Sequence, residues 1–334
     1  MLLREIGEFG FIDRIAGMVR ADDPRVVLGI GDDAALLDLG GPDLVAVTTD
    51  AMLQDRHFRL DWLSPIEIGW RAASGALSDL AAMGAAPAAL FCSVGLPPQW
   101  PVDGAEDLLK GVARATEAVG AVLTGGDLIA SENVLVDIMA LGQVPRGQQL
   151  TRDGASAGQV LAVTGVLGAP AAAVELMEAE GPDALADGDY ETICRRFAHP
   201  EPRVKAGRAL AASGLVSAAI DISDGLVQDA GHIAERSGVR AVIEAARVPI
   251  ADGCAAIAER IDANAIHWAL AGGEEFELLI ALDEANVEAV AELPAVAAVG
   301  LTVVGRLEAG AGAVAMDADG RRIELPRGGW DHFA

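Results

Sequence analysis

The stretch Ser217-Ala-Ala-Ile-Asp221-Ile-Ser223-Asp224-Gly225-Leu-Val-Gln-Asp-Ala-Gly-His-Ile-Ala-Glu-Arg-Ser-Gly238 decides how the chain reads. SAAID is a short apolar run of strand length. It passes straight into a helical pattern over 224–237, with Asp224 placed to cap it. Strand, carboxylate-bearing turn, helix: this grammar recurs along the chain. Downstream, VRAVIEA, FELLIAL (276–282) and GLTVVGRL (300–307) read as strands, with helices at 250–260 and 284–292 between them. Upstream, QVLAVTG (159–165) is a strand, and 169–180 and 203–212 are helices. The first part repeats the alternation. A helix at 4–20 is followed by a strand at 44–49 and a helix at 64–83 opened by Ser64-Pro65. Then come a strand in AALFCSV, a helix at 104–119, a strand in AVLTG and a strand at 133–144. A polar stretch, PRGQQLTRDGASAG (145–158), separates the two halves. The expected division is an N-terminal domain at 1–148 and a C-terminal domain at 149–334. The fold class is α/β (α+β).

Composition narrows the function. The 334 residues carry 24 Lys+Arg against 50 Asp+Glu, a formal charge of −26. Nucleic acid and anionic membranes need a basic footprint, so neither is an expected partner. With 52% apolar and 22% charged residues, the chain has ample material for a core. Three cysteines (Cys92, Cys194, Cys254) form no disulfide framework and no CxxC site, which fits a reducing compartment. The N-terminus carries Arg4 and Glu5 and no apolar leader run. The uncharged run Leu80–Val102 is long enough to span a bilayer but is broken by Gly84, Pro87, Gly95, Pro97 and Pro98. A soluble cytoplasmic protein is expected.

Six carboxylate clusters sit beside Gly, Ser or Thr, most at the ends of apolar runs. They are Gly29-Ile-Gly31-Asp32-Asp33, Thr48-Thr49-Asp50, Ser78-Asp79, Gly125-Gly126-Asp127, Asp221-Ile-Ser223-Asp224-Gly225 and Gly272-Gly273-Glu274-Glu275. Any one could be a cap or a turn. Six with one grammar point to hard cations such as Mg²⁺, which take oxygen ligands and share them with phosphates. Converging aspartates would otherwise repel one another. The sequence has no GxxxxGK[ST], no GxGxxG after a strand, no HRD or DFG set and no GxSxG. Bound nucleotide would therefore be held through metal ions, with an arginine such as Arg152 of LTRDGA. His57, in the polar segment after Asp50, should lie over the same site. A zinc site is not expected, for want of HxxxH or HExxH. Removing the motif carboxylates still leaves a strongly acidic chain, so most of the charge is a solvated coat.

The stretches GEFGFIDRI, GIGDDAALL, VTTDAMLQDRHF, ALSDLAAMGAAP, TGGDL, LTRDGASAGQVLAVTG, IDISDGLVQDAGHIAERSG, WALAGGEEFELL and GWDHF run in this order from residue 7 to 333. On these the chain closely resembles the thiamine-monophosphate kinase family, within the superfamily of aminoimidazole ribonucleotide synthetase-like ATP-binding proteins. The resemblance implies that superfamily's two-domain fold and ATP- and Mg²⁺-dependent phosphorylation of thiamine monophosphate to thiamine diphosphate. It also implies a homodimer through the N-terminal domain, whose sheets close into a barrel in relatives. By resemblance, metal ligands fall on Asp33, Thr48, Thr49, Asp50, Asp79, Asp127, Asp221 and Asp224, with Asp32 the second member of its pair. ATP contacts fall on Gly126, Asp127, Arg152 and Ser223. Thiamine phosphate contacts fall on His57, Glu274 and Trp330. Catalytic weight falls on Asp50, Asp79, Asp127 and Arg152, by positioning and charge neutralisation and not by acid–base work. The helix at 104–119 lacks the aromatic residue that relatives often place near adenine. Other superfamily members fit less well. A hydrogenase-maturation enzyme would end in a reactive cysteine, and a selenophosphate synthetase would carry Cys and Lys near its start, whereas the first fifty residues have neither.

Overall fold

The structure is a computed structural model and describes residues 2–18, 23–186 and 190–325. Two six-stranded sheets organise it. The first holds β1 (Val26–Leu28), β2 (Ala35–Leu37), β3 (Asp43–Leu53), β4 (Ala86–Leu96), β5 (Val122–Ala130) and β6 (Leu135–Pro145), in the order β1-β2-β3-β6-β4-β5. The second holds β7 (Val160–Thr164), β8 (Val216–Asp221), β9 (Arg240–Glu244), β10 (Leu278–Leu282), β11 (Leu301–Glu308) and β12 (Gly312–Met316), in the order β12-β9-β11-β7-β10-β8. The helices used below are α1 (Gly7–Met18), α2 (Pro65–Ala82), α3 (Val102–Ala118), α4 (Ala169–Glu180), α5 (Glu191–Ala198), α6 (Val204–Ser213) and α7 (Leu226–Ser237).

Alternating strands and helices usually make parallel sheets. Here almost every ladder is antiparallel, because a later strand inserts between the two ends of each crossover. β3 and β4, joined by α2, both pair antiparallel with β6. β7 and β8 both pair antiparallel with β10. Each half is therefore built on the same split crossover. β10, paired on both sides and buried along its whole length, is apolar at every position, whereas β3 and β6 alternate.

Helix α2 joins the halves. Ser64 opens it with a capping box to Glu67, and Pro65 takes the first turn, as the sequence leads one to expect. Its residues Ile68, Ala72, Ala76, Leu77 and Leu80 pack into the core of the first half, while Ala81 and Ala82 join the cluster of Ala219, Leu278 and Ile280 in the second. The run Leu80–Val102 resolves into the end of α2, a turn and β4. Among the described residues, no helix is long and apolar enough to cross a membrane.

Two local expectations change. Asp224 does not cap α7: its Oδ2 accepts from the Gln228 side chain, while Asp229 Oδ2 accepts the backbone N–H of Gly225 at 3.0 Å and of Asp224 at 3.3 Å. A carboxylate one turn inside the helix folds back over the open amides, and Asp224 is turned toward the cleft. The second difference concerns strand ends. Thr48–Asp50 and Gly126-Asp127 lie in mid-strand, and Asp79 lies in the last turns of α2.

Candidate active site

A cleft of about 1550 Å³ lies between the halves. Asp33 enters from the loop between β1 and β2, Asp50 from β3, Asp79 from α2, and Asp221 from the end of β8. Asp33, Asp79 and Asp221 each offer an oxygen within 4.8 Å of the others. Short hydroxyl bonds fix them. Thr48 Oγ1 donates to Asp79 Oδ2 at 2.6 Å, and Ser78 Oγ donates to Asp221 Oδ2 at 2.6 Å. Arg152 crosses over the group: its Nη2 donates to Asp33 Oδ1 at 2.6 Å, and its backbone N–H donates to Asp32 Oδ2 at 3.1 Å.

Crowding acidic groups away from water shifts their ionisation. Burial first, and then the charge of Asp33, lifts Asp32 to about 6 and Asp221 to about 7. Burial also pushes Asp33 up, and it pushes Asp79 far up, where Asp221, Asp33 and Asp50 add to it. Burial works against the charge of Arg152, but Asp33 and Asp32 outweigh it and hold the guanidinium above its ordinary value. One arginine does not settle this many carboxylates. Asp33 Oδ2 is buried with no partner. An oxygen-only donor set with an orphaned acceptor suits a hard divalent cation.

The helix face that carries Asp79 also makes room for Asp50. A Cβ on Gly75 would stand 1.9 Å from Asp50 Oδ2, so only glycine lets that carboxylate lie against α2. Thr49, His57, Ser223, Asp224 and Glu274 line the same cleft. His57 Nδ1 accepts the Leu53 N–H at 2.9 Å, in a tight turn where Asp55 has φ 62°. The backbone N–H of Glu274 donates to Ser223 O at 2.8 Å, and that of Phe276 to Ile222 O at 3.0 Å, so the GGEEF and DISD segments are laced together. Asp224, Asp229 and His232 form a second group with ligand atoms within 4.8 Å.

Gly126 and Asp127 are not brought to this cleft. They sit on β5, the exposed edge of the first sheet. Gly126 is in register with Cys92 of β4, which pairs with Ile138 of β6, which pairs with Asp50. Three strand spacings put Asp127 roughly 14 Å from Asp50 along the sheet. Trp330 lies outside the described residues. The sequence reading missed Arg71, Gly75 and Asp229 as working parts, and noted Ser78 only as the neighbour of Asp79. Arg71 had a signal: it is the single basic residue in an otherwise small and apolar stretch of α2.

This fold and this carboxylate-lined cleft define the class of AIR synthase related proteins. The model of that family's N-terminal domain matches residues 31–144 and that of its C-terminal domain residues 156–317. Within the class, the chain belongs to the thiamine-monophosphate kinase family. It is 38% identical to the thiamine-monophosphate kinase of Mycobacterium tuberculosis strain H37Rv over 278 residues, which are 83% of this chain and 81% of that one. It is 36% identical to that of Escherichia coli strain K12 over 332 residues, 98% of both. The solved structure of AaThiL complexed with AMPPCP and TMP superposes with a TM-score of 0.84, at 30% identity, covering 99% of each chain. The protein is an enzyme, a kinase.

Proposed function

We propose that the enzyme is a cytoplasmic kinase that transfers the γ-phosphoryl group of ATP to thiamine monophosphate, yielding thiamine diphosphate in a Mg²⁺-dependent reaction. The observation that carries this reading is the convergence of Asp33, Asp79 and Asp221 around an orphaned buried oxygen. The names of the relatives, and the AMPPCP and TMP held by one of them, support the substrates.

Asp33, Thr48, Thr49, Asp50, Asp79, Asp221 and Asp224 would hold the cations. Mg²⁺ there supplies charge neutralisation for the transferring phosphoryl group. The chain's own residues do the positioning. Arg152, already desolvated and fixed by Asp33, offers its remaining N–H groups to phosphate oxygen. Ser223, on a rigid strand-to-helix turn, faces the nucleotide. His57 and Glu274 border the space left for thiamine monophosphate, and Trp330 supplies an aromatic face suited to its cationic ring. The acceptor phosphate is ionised at neutral pH, so an in-line displacement needs no general base. The buried aspartates act as scaffolding.

Asp127 enters this scheme only from a second copy. It is too far along the sheet to reach Asp50 of its own chain. Its strand exposes Val122, Leu128 and Ile129. Burying that edge in a homodimer would remove both an open ladder and an apolar surface from water. Gly126 and Asp127 then face the partner's nucleotide. We set the division between the halves at 148/149, between the end of β6 and the start of β7.

The direct test is turnover of purified protein with ATP, thiamine monophosphate and Mg²⁺. Thiamine diphosphate should accumulate, and only with all three present. No product under those conditions sinks the proposal.

A further inference from the structure

Arg71 is 1% exposed, among the most deeply buried charges in the protein. Its guanidinium donates to two acceptors from different segments, the Phe197 carbonyl at the end of α5 and the Glu274 carboxylate. Its Cζ lies 4.9 Å from the centre of the Phe197 ring, and its Nε is buried with no partner. Neighbouring turns of α2 grip the same segment: Trp70 Nε1 donates to Pro200 O at 2.8 Å and Ser74 Oγ donates to it at 3.1 Å. A buried charge held by one partly exposed carboxylate is costly, and core packing alone would be served as well by an apolar side chain. A guanidinium differs from such a side chain in fixing direction through its planar fork.

Glu274 is the residue that needs fixing. Its backbone is held at φ 59° and its carboxylate is a third exposed to the cleft. Arg71 takes Oε2, so Oε1 is the oxygen left to meet a ligand. Arg71, Gly75 and Asp79 recur at four-residue intervals on one face of α2. One rigid helix therefore carries Asp79, makes room for Asp50 at Gly75 and, about 12 Å along its axis from Asp79, carries the clamp on Glu274.

We infer that Arg71 is a positioning residue for the acceptor substrate: it orients Glu274 toward the ring end of thiamine monophosphate and has no part in ATP binding. This rests on the reading that Glu274 contacts that substrate. The thiazolium cation and the amino group of the neighbouring aminopyrimidine both suit a carboxylate whose outward oxygen is fixed and whose inner oxygen is paired with Arg71.

Steady-state kinetics on Arg71→Met, Arg71→Lys, Glu274→Gln and the double variant Arg71→Met/Glu274→Gln test it. Arg71→Met should raise KM for thiamine monophosphate about tenfold or more and leave KM for ATP within about twofold. Arg71→Lys, which keeps the charge and loses the fork, should fall between wild type and Arg71→Met. The double variant should be no worse than Glu274→Gln alone, because Arg71 acts only through that carboxylate. Multiplying effects, or equal rises in both KM values, would mean that Arg71 merely braces the fold. A KM unchanged in Glu274→Gln overturns the substrate contact itself, whereas a raised KM there with an unchanged one in Arg71→Lys overturns only the positioning role. Should Arg71→Met fail to fold, the lysine variant decides.

Discussion

At the residue scale, the site works because hydroxyls and one arginine hold several carboxylates closer together than water would allow. Thr48, Ser78 and Arg152 each take one oxygen of an aspartate, and Asp33 Oδ2 is left buried without a partner. This predicts what single changes do. Asp79→Asn and Asp221→Asn should each lower turnover by about a hundredfold or more, since each removes a proposed cation ligand. Neither should unfold the protein, because each also removes a charge that burial disfavours. Circular dichroism and kinetics on the same preparations check both halves of that statement. Near-normal turnover in both variants would remove the scaffolding role. The identities of these residues were legible in the sequence as Gly-, Ser- and Thr-flanked aspartates. Their partners were not. Arg71 and Glu274 are 203 residues apart, and spacing along the chain carries no sign of the pairing.

At the scale of elements, α2 is the piece on which most depends. It contributes Arg71, Gly75, Ser78 and Asp79 from one face, and packs on both halves with the rest. Its boundaries were readable from Ser64-Pro65 and the apolar spacing, because a capping box and a proline act locally. The role of Gly75 was not, because the Asp50 carboxylate that presses on it comes from another strand. Gly75→Ala should raise helix propensity by about 1 kcal/mol, so thermal stability should hold or rise slightly. The new methyl group displaces Asp50, and turnover should fall about tenfold or more. A thermal melt and an activity assay on this variant separate the two effects. Unchanged activity would mean that the Asp50 position is not used. The short strands β1, β2 and β12 escaped the sequence reading for a related reason. β1 and β2, three residues each, give too little periodicity, and β12 is defined by its parallel pairing with the distant β9.

At the scale of the molecule, the carboxylates act together. Asp32, Asp221 and the buried Glu275 hold their protons up to about 6, 7 and 8, all chiefly through burial. An unfolded chain loses those protons near pH 4. Between these limits the folded state binds more protons, so without divalent cations stability should fall as pH rises from about 4 to about 8. Mg²⁺ bound as proposed would compete with protons for the oxygens of the cleft aspartates. Its stabilising effect should therefore be small at pH 5 and larger at pH 8, as read by thermal melts with and without the ion. An equal effect at both values would argue against cation binding at these carboxylates.

The assembly predicts a second outcome at this scale. If Asp50 and Asp127 meet only across two copies, co-refolded Asp50→Asn and Asp127→Asn chains should regain activity that neither has alone. Each mixed dimer would carry one site free of both changes. Mixtures as inactive as the parents would place Asp127 elsewhere.

The sequence by itself determined which side chains are on offer. The Gly-, Ser- and Thr-flanked aspartates and the order of the motifs follow from side-chain types and local spacing, which no fold can alter. It also determined where the main helices begin, because caps and prolines act within a few residues. Only the tertiary structure decided which carboxylates converge, that Asp127 stands apart from them in its own chain, and that a buried arginine holds Glu274. Those facts depend on strand order and on helix α2 crossing between two sheets. Burial then sets the charges: the same aspartates would be ordinary acids in water, and hold their protons more tightly because the fold removes water from between them.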